Sequence, residues 1–189
     1  MSFYSARNVN LTIGSGNSLG GVFANNATLR ANSSISTSLN IDSSVSNNYI
    51  TTAPMSTSLS LTYYCTGVDP LKKHMSYYDT PISVDFGGLH MNSGYLSSYS
   101  FNVQPYVPVE ITAEVRFFEP IKGTFSPSPS SLDYHGVLNF SDFTFTETGI
   151  VNSSEVLGLS YSYSRNVTAV YQSQELGDDT VTHNVHFSE

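Results

Sequence analysis

Five histidines and one cysteine are the side chains of this 189-residue chain best suited to binding a metal ion or acting as a nucleophile. His183 and His186 lie three residues apart in an expected strand, where they point to opposite faces and cannot chelate one ion. They also lack the matched spacing of a zinc site. Cys65 follows two tyrosines at the end of an apolar alternation, which indicates a buried small hydrophobic residue. We therefore expect neither a metal site nor a cysteine nucleophile.

The acidic residues offer two further arrangements that would allow chemistry. Asp178 and Asp179 follow a glycine in a turn-like stretch, but this stretch lacks the spaced acids of a calcium loop. Asp85 could face Glu110 or Glu114 across neighbouring strands as a carboxylate pair, although solvated acids on a strand surface are the more common case. No nucleophile elbow, Walker loop or dinucleotide-binding glycine pattern occurs. The sequence predicts a protein that is not an enzyme, with no catalytic residue, cofactor or metal.

The elements that would position any site are strands. Tyr99, Phe101 and Val103 alternate with small polar residues, and residues 109–117 alternate apolar and polar side chains in the same way. A period of two places one set of side chains on each face of a sheet. Two prolines in residues 104–108 indicate a turn between these segments. We predict an antiparallel hairpin with one apolar and one polar face.

Shorter segments complete the predicted elements. Apolar alternation predicts strands at residues 9–13, 59–63 and 82–86. Asp69 is a good N-cap and a proline follows it, so a short α-helix is predicted over residues 69–75. The composition agrees with an all-β fold, because Tyr, Thr, Val and Phe favour pleated surfaces.

A Pro/Ser-rich stretch predicts the domain organisation. Residues 126–131 are taken as a linker between a β-sandwich domain, residues 1–125, and a partial second β unit, residues 132–189. The pattern VSNNY at residues 45–49 is repeated with the same spacing as VTAVY at residues 167–171, which suggests an incomplete repeat. A half-length unit leaves strand edges unpaired, so it must pair with the first domain or with another subunit. Strands of this unit are expected around Phe140, Phe143 and Phe145, at Tyr161 and Tyr163, at residues 167–171, and near Val181 and Val185.

Charge and hydropathy exclude several classes of function. The formal net charge is −8, and the seven basic residues are scattered, which argues against binding to a phosphate backbone. Only 12% of the residues are charged, as is typical of surfaces that subunits cover, although a low-charge soluble sandwich would share this composition. No apolar run approaches 18 residues and no leader is evident, so we expect synthesis in a cytoplasm and no membrane span.

The order of these elements resembles the tail-tube-like fold family of long-tailed bacteriophages, which includes tube, baseplate, neck and tail-completion proteins. The resemblance begins with the strand at residues 9–13 and a long polar-tipped hairpin at about residues 39–64. A Thr-Gly-x-Asp-Pro-Leu segment at residues 66–75 and the strand at residues 81–86 follow. The closing hairpin reads GYLSSYSFN…PVEITAEVRFF, so the resemblance extends over residues 7–125.

This resemblance implies an all-β, tail-tube-like antiparallel β-sandwich or barrel with one short α-helix. It also implies rings of identical subunits, hexamers or trimers, whose strands join by β-edge pairing around a DNA channel. The implied partners are copies of the chain and other tail, baseplate or neck proteins, with genomic DNA only in transit. The implied location is the virion, after synthesis in the host bacterial cytoplasm. An acidic wall would not retain DNA, and the net charge of −8 agrees with this.

The half-length second unit departs from a simple tube subunit and favours a related virion component. A carbohydrate-binding or adhesive β-module of a fibre is an alternative that predicts an exposed tyrosine cluster, although sugar sites commonly use Trp and this chain has none. A capsid decoration protein is another alternative. For assembly, contacts are expected in the loop at residues 43–56 and in the strand at residues 167–171. The residues expected to make them are Ser43, Val45, Asn48, Tyr49, Pro54, Val167, Val170 and Tyr171.

Overall fold

The fold is built from β-strands, as the sequence predicted. The structure is a computed structural model that describes residues 11–15, 18–22, 24–37, 49–67, 69–75, 80–127, 136–143, 157–171 and 183–188. It contains no helix of seven or more residues in this part of the chain. The strands are β1 Leu11–Ser15, β2 Ser18–Gly21, β3 Ala24–Thr37, β4 Tyr49–Tyr64, β5 Ile82–Phe86, β6 Leu89–Val103, β7 Glu110–Phe117, β8 Lys122–Gly123, β9 Leu159–Ser164, β10 Asn166–Tyr171 and β11 His183–Ser188.

Nine of these strands form one curled antiparallel sheet. Its order is β2-β1-β5-β6-β7-β4-β3, with β8 and β9 also paired to β6. The long strand β6 therefore serves two parts of the sheet. Its first half pairs with β5 and β8, and its second half pairs with β7 on one side and β9 on the other. A register shift between Leu96 and Ser98 marks the change, and β10 pairs with β11 in a separate two-stranded sheet.

The core lies on the apolar face of the sheet and agrees with the predicted alternation. On β7 every second residue is buried, from Ile111 to Phe117, and on β4 Leu59 and Leu61 are fully buried. Residues of β1 and β5, including Ile13, belong to the same hydrophobic cluster. Each large apolar side chain buried in this way contributes about 1.5–3 kcal/mol. The polar face of the same strands carries hydroxyl, amide and acidic side chains.

The β3–β4 hairpin extends beyond the rest of the sheet. The neighbouring strand β7 pairs only with residues 57–64 of β4, so residues 49–56 pair with β3 alone. We call residues 31–37 and 49–56 the arm. Residues 31–33 are all exposed, so here both faces of the arm lie in solvent. The predicted loop at residues 43–56 is therefore wrong from residue 49 onward, because these residues are a strand.

The predicted α-helix is instead a single turn of 3-10 helix, Lys72–Met75. The carboxylate of Asp69 accepts the N–H of Leu71 at 3.0 Å, as expected of a capping residue. The N–H of His74 then bonds to the carbonyl of Leu71 at 3.0 Å, three residues back rather than four. This tighter turn is the usual form of a helix too short to repeat its hydrogen bonds.

The region after the Pro/Ser stretch returns to the first sheet. Strand β9 pairs with β6, Val137 forms a bridge with Thr66, and the N–H of Val109 donates to the carbonyl of Leu138. Around Phe140 the predicted strand is wrong, because residues Phe140–Asp142 form a 3-10 helix closed by a capping box. The predicted strands at Tyr161 and Tyr163, at residues 167–171 and at Val185 are confirmed as β9, β10 and β11, whereas Phe145 and Val181 lie outside the described residues. The division into two units, with its linker, remains a prediction.

Candidate functional site

The possible pairing of Asp85 with Glu110 or Glu114 does not occur, in agreement with the expectation of separate surface acids. Strands β5 and β7 lie on opposite sides of β6, which separates Asp85 from Glu110 and Glu114. Instead, Oδ2 of Asp85 lies 2.9 Å from Nδ1 of His90, the residue opposite it across the β5–β6 turn. The carboxylate of Glu110 accepts a hydrogen bond of 2.8 Å from the side chain of Asn25. These acids are surface residues with local partners.

One partly buried carboxylate, that of Asp69, bonds to several groups at the end of the core. Asp69 accepts hydrogen bonds from the hydroxyls of Tyr63 and Tyr99 as well as from the backbone of residue 71. Burial, together with the charge of Asp69, raises the pKa of both tyrosines well above the usual range. Burial and the same charge raise the pKa of Cys65 to about 11, so its thiol stays protonated at neutral pH. Because the thiolate is the nucleophilic form, this pKa makes Cys65 a weak nucleophile.

His74 is buried in the 3-10 turn that follows Asp69, and neither ring nitrogen has a hydrogen-bond partner of good geometry among the described residues. Burial lowers the pKa of His74, and the charge of Lys73 lowers it further. The backbone of Thr80 acts in the opposite direction and raises the pKa by a smaller amount. His183 and His186 lie in β11. Within the described ranges no three His, Cys, Asp or Glu side chains are close enough to hold a metal ion. No helix in the same ranges is long and apolar enough to cross a membrane.

An open groove of about 560 Å³ lies beside the turn between β6 and β7. Its lining combines aromatic rings with hydroxyl and amide groups, and Glu110 is its one carboxylate. Its lining residues are Tyr64, Ser100, Phe101, Asn102, Gln104, Val107, Pro108, Glu110, Thr112, Ser160, Tyr161 and Ser162.

Strand β9 forms an edge of the sheet, with β6 as its one neighbour in the described sheet. The N–H of Arg165 donates to the carbonyl of Ser97 at 2.7 Å, which fixes the hydrogen-bonded pairs of this ladder. In an antiparallel ladder, hydrogen-bonded pairs alternate with pairs that are not hydrogen-bonded. Ser160, Ser162 and Ser164 belong to the second kind, so their backbone N–H and C=O groups point away from β6. They face the free side of β9.

The same edge exposes large apolar side chains. Leu157 is 83% exposed, Leu159 41% and Tyr161 40%. We call these three residues the β9 stripe. Leu159 and Tyr161 lie opposite Val103 and Phe101, so the stripe continues the apolar face of the sheet. The ring of Tyr161 stacks on Phe101 with centroids 5.3 Å apart. The apolar face therefore remains partly uncovered at β9.

A second exposed aromatic side chain lies at the turn between β6 and β7. Tyr106 is fully exposed and has a φ of 65°, a value that L-residues other than Asn and Asp rarely adopt. The N–H of Val107 bonds to the carbonyl of Gln104, and Pro105 precedes Tyr106, as in a type II turn. Position three of such a turn favours glycine, so Tyr106 is held in a strained backbone conformation.

The residues predicted for assembly are distributed over several elements. Tyr49 and Pro54 lie in the part of β4 that belongs to the arm. Val167 is 2% exposed, so this chain already covers its side chain. Val170 and Tyr171 lie in β10, opposite residues of β11. The structure does not bring the arm residues together with β10 in one described sheet. Ser43, Val45 and Asn48 lie outside the described residues.

The sequence predicted that the second unit pairs with the first domain or with another subunit, but it identified neither the β9 stripe nor the strained turn at Tyr106. The segment LSYSYS at residues 159–164 has the required alternation, which identified a strand but not its place beside β6. The strain at Tyr106 has a weaker signal, a proline followed by a non-glycine residue in a turn.

Comparison with solved structures gives a coarse likeness in fold. No protein-family model matches the chain, and no curated protein sequence matches it. A solved structure described as the tail of an empty GTA particle, computed with helical refinement in C6 symmetry, contains a chain similar to this one. The similarity covers 65% of this chain and 99% of that chain, at 12% sequence identity and a TM-score of 0.47.

Proposed function

We propose that this chain is a structural protein of a phage tail, which assembles with copies of itself into rings around a DNA channel. Its work is assembly, without catalysis, and its location is the virion. The observation that carries the proposal is the unfinished sheet: β9 and β3 are edge strands of the part built from β9, β6, β7, β4 and β3. The sequence resemblance supplies the tail as the setting.

These two edges lack the usual protection against pairing. Monomeric β proteins shield their edges with charged residues, prolines or short strands. Strand β9 contains no charged residue and no proline, and the fourteen residues of β3 contain one charge, Arg30. Unprotected edges are templates for strands of another chain. The composition therefore fits a subunit whose sheet is continued by its neighbours.

The arm supports the same proposal. A two-stranded hairpin exposed on both faces is marginally stable by itself. Residues 49–56 extend it by roughly 25 Å beyond the sheet, at about 3.4 Å per residue. Such an arm gains stability when another subunit covers it. We propose that it contacts the adjacent ring.

Electron microscopy of the purified chain tests the proposal. Rings or tubes with cyclic symmetry are expected, and trimers or hexamers would be read from class averages. A trimmed variant, in which Asn-Gly replaces residues 33–55, joins the paired residues Asn32 and Ser56 by a two-residue turn. We expect this variant to fold, by circular dichroism, and to fail to stack into tubes.

A control for the trimmed variant is Gly136→Ala, since a Cβ at that glycine meets no atom within 4 Å. This control should assemble as the unmodified chain does. Native tubes from the trimmed variant, or a monodisperse monomer of the full chain at high concentration, would contradict the proposal. Immunogold labelling of virions separates a tail protein from a capsid decoration protein.

Binding of a carbohydrate is a second candidate, and the groove beside the β6–β7 turn is the observation that favours it. Tyr64 and Tyr161 line this groove together with Asn102 and Gln104, a mixture that suits hydroxyl-rich ligands. A glycan array probed with the purified monomer tests it. Binding that disappears in Tyr64→Ala would favour this candidate, and a silent array would reject it.

A further inference from the structure

We propose that neighbouring copies are joined by β9 of one subunit and β3 of the next, running parallel to each other in a head-to-tail ring. This inference rests on the proposed self-assembly and specifies its edges. Both strands are outer members of the same five-stranded part of the sheet, in the order β9-β6-β7-β4-β3. Joining them continues one sheet from copy to copy.

The backbone of β9 has hydrogen-bonding groups that point toward the position of such a neighbour. Ser160, Ser162 and Ser164 direct their N–H and C=O groups away from β6, as the ladder register requires. An added strand would satisfy all three residues at once. Main-chain hydrogen bonding of this kind is the basis of recognition by strand addition.

The side chains of the two edges match on the apolar face. On β9 this face carries the large, partly exposed residues of the β9 stripe. On β3 the corresponding face carries Ala27, Leu29 and Ala31, which lie opposite buried residues of β4. Ala27 and Leu29 are partly buried and Ala31 is exposed. Large side chains at one edge therefore meet mainly small ones at the other, and the pairing removes apolar surface from water.

The polar faces and charges also allow this approach. Serines at positions 160, 162 and 164 would continue into Asn26, Thr28 and Arg30 of the next copy, a row of neutral groups with one cation. The chain has a net charge of −8, so most pairs of surfaces repel one another. Neither edge strand contains an acidic residue. Copies can meet at these edges without like-charge repulsion.

The direction of the strands decides the symmetry. Each of the four steps from β9 to β3 is antiparallel, so β9 and β3 run in the same direction within one copy. In a ring whose symmetry axis runs along the strands, rotation from one copy to the next preserves strand direction. The pair formed by β9 of one copy and β3 of the next is therefore parallel. The competing two-fold dimer would pair β9 with a second β9 in the antiparallel sense. The two arrangements make different contacts and can be separated by cross-linking.

The first experiment blocks the outward edge of β9. Ser162→Pro removes an N–H that points away from β6, so the β6–β9 ladder is kept and the neighbour's hydrogen bond is lost. Ser162→Ala keeps the N–H and is the matched control. We expect the critical concentration for polymer to rise about tenfold or more in Ser162→Pro and to stay unchanged in Ser162→Ala. Equal assembly of the two variants, with melting temperatures unchanged, would overturn the inference.

The second experiment fixes the partner of β9 in a Cys65→Ser background. Ser162→Cys is combined in turn with Asn26→Cys, Thr28→Cys and Arg30→Cys, all on the polar face. A head-to-tail junction gives a ladder of oxidised multimers in at least one double variant and no dimer in any single variant. Dimers of Ser162→Cys alone would show the two-fold arrangement and overturn the inference.

The remaining outcomes separate this inference from the proposed function. Rings seen by electron microscopy without any cross-link would mean that copies join elsewhere, or that the chain covers its own β9 edge, and the proposed function would stand. Absence of polymers in the unmodified chain would overturn both.

Discussion

The centre of the sheet and its margins differ in how completely they are packed. At the centre, Phe117 is fully buried and its ring lies directly against Gly94, with no space for another atom. At the margins, residues 31–33 of the arm and the β9 stripe expose apolar or uncharged side chains, and β3 and β9 each have one neighbour in the described sheet. The difference indicates that the centre supplies most of the stability of the chain, and the margins are where the proposed contacts between copies would form. Substitutions at the centre should unfold the chain, and those at the margins should leave it folded.

The close approach at Gly94 provides the largest expected effect. A Cβ built on this residue would lie 2.7 Å from Cδ1 of Phe117 and 2.9 Å from the carbonyl oxygen of Ile82. Both neighbours are buried and one is backbone, so neither can move aside without cost. We expect Gly94→Ala to lower the free energy of unfolding by about 3 kcal/mol, measured by urea denaturation.

Gly67→Ala is the matched control for this substitution, because a Cβ there meets no atom within 4 Å. Its effect should be within about 0.5 kcal/mol. Equal effects of the two substitutions would show that the centre is not packed as described, and the contrast with the margins would fail.

The next effect concerns the carboxylate of Asp69. Asp69→Ala leaves the hydroxyls of Tyr63 and Tyr99 without their acceptor inside the core, which should cost about 2 kcal/mol. Removing the hydroxyls as well, in the triple variant with Tyr63→Phe and Tyr99→Phe, should restore part of the loss. Denaturation curves of the single and triple variants measure this. A triple variant less stable than Asp69→Ala would show that the tyrosine hydroxyls have other partners.

The sequence predicted the centre well because burial leaves a pattern there. Alternation in β7 and in the second half of β6 corresponds directly to the buried face. The margins leave no such pattern. The Ser- and Asn-rich segment that forms β3 was not predicted as a strand from end to end, because it has no apolar alternation where both faces are exposed, as at residues 31–33. The return of β9 to β6 depends on a long-range pairing that no local signal records. The turn at residues 72–75 is 3-10 rather than α because a single turn follows the cap at Asp69, too few residues to repeat α-helical hydrogen bonds.

Protonation of His74 gives a smaller, pH-dependent effect at the border of the core. Burial, and next the charge of Lys73, lower its pKa below the usual value of 6.5. The unfolded chain therefore binds a proton at a pH where the folded chain does not. The contribution to stability is complete above about pH 6.5 and is lost as the pH falls from there through the folded pKa. We expect stability to decline below pH 6.5.

The variant His74→Phe tests this assignment, because it keeps an aromatic ring without a titrating group. Its urea midpoint should depend less steeply on pH below 6.5 than that of the unmodified chain. His90, which is exposed and lies beside Asp85, serves as the control through His90→Phe. If the two variants show the same slope, His74 is not the titrating group, and the acid response comes from elsewhere in the chain.

The smallest effect should be a gain in stability at the margin. Tyr106 has a φ of 65° and a fully exposed side chain, so its ring contributes no packing to offset the backbone strain. Asn adopts this conformation more readily and, unlike Gly, adds little freedom to the unfolded chain. Tyr106→Asn should therefore raise the free energy of unfolding by about 0.5–1 kcal/mol. Thermal melts of the monomer, with Val107→Asn as the neighbouring control, measure it. A loss of stability would mean that the tyrosine ring is packed within its own chain. A stabilised monomer that assembles less well would show instead that the strained turn serves the contact between copies.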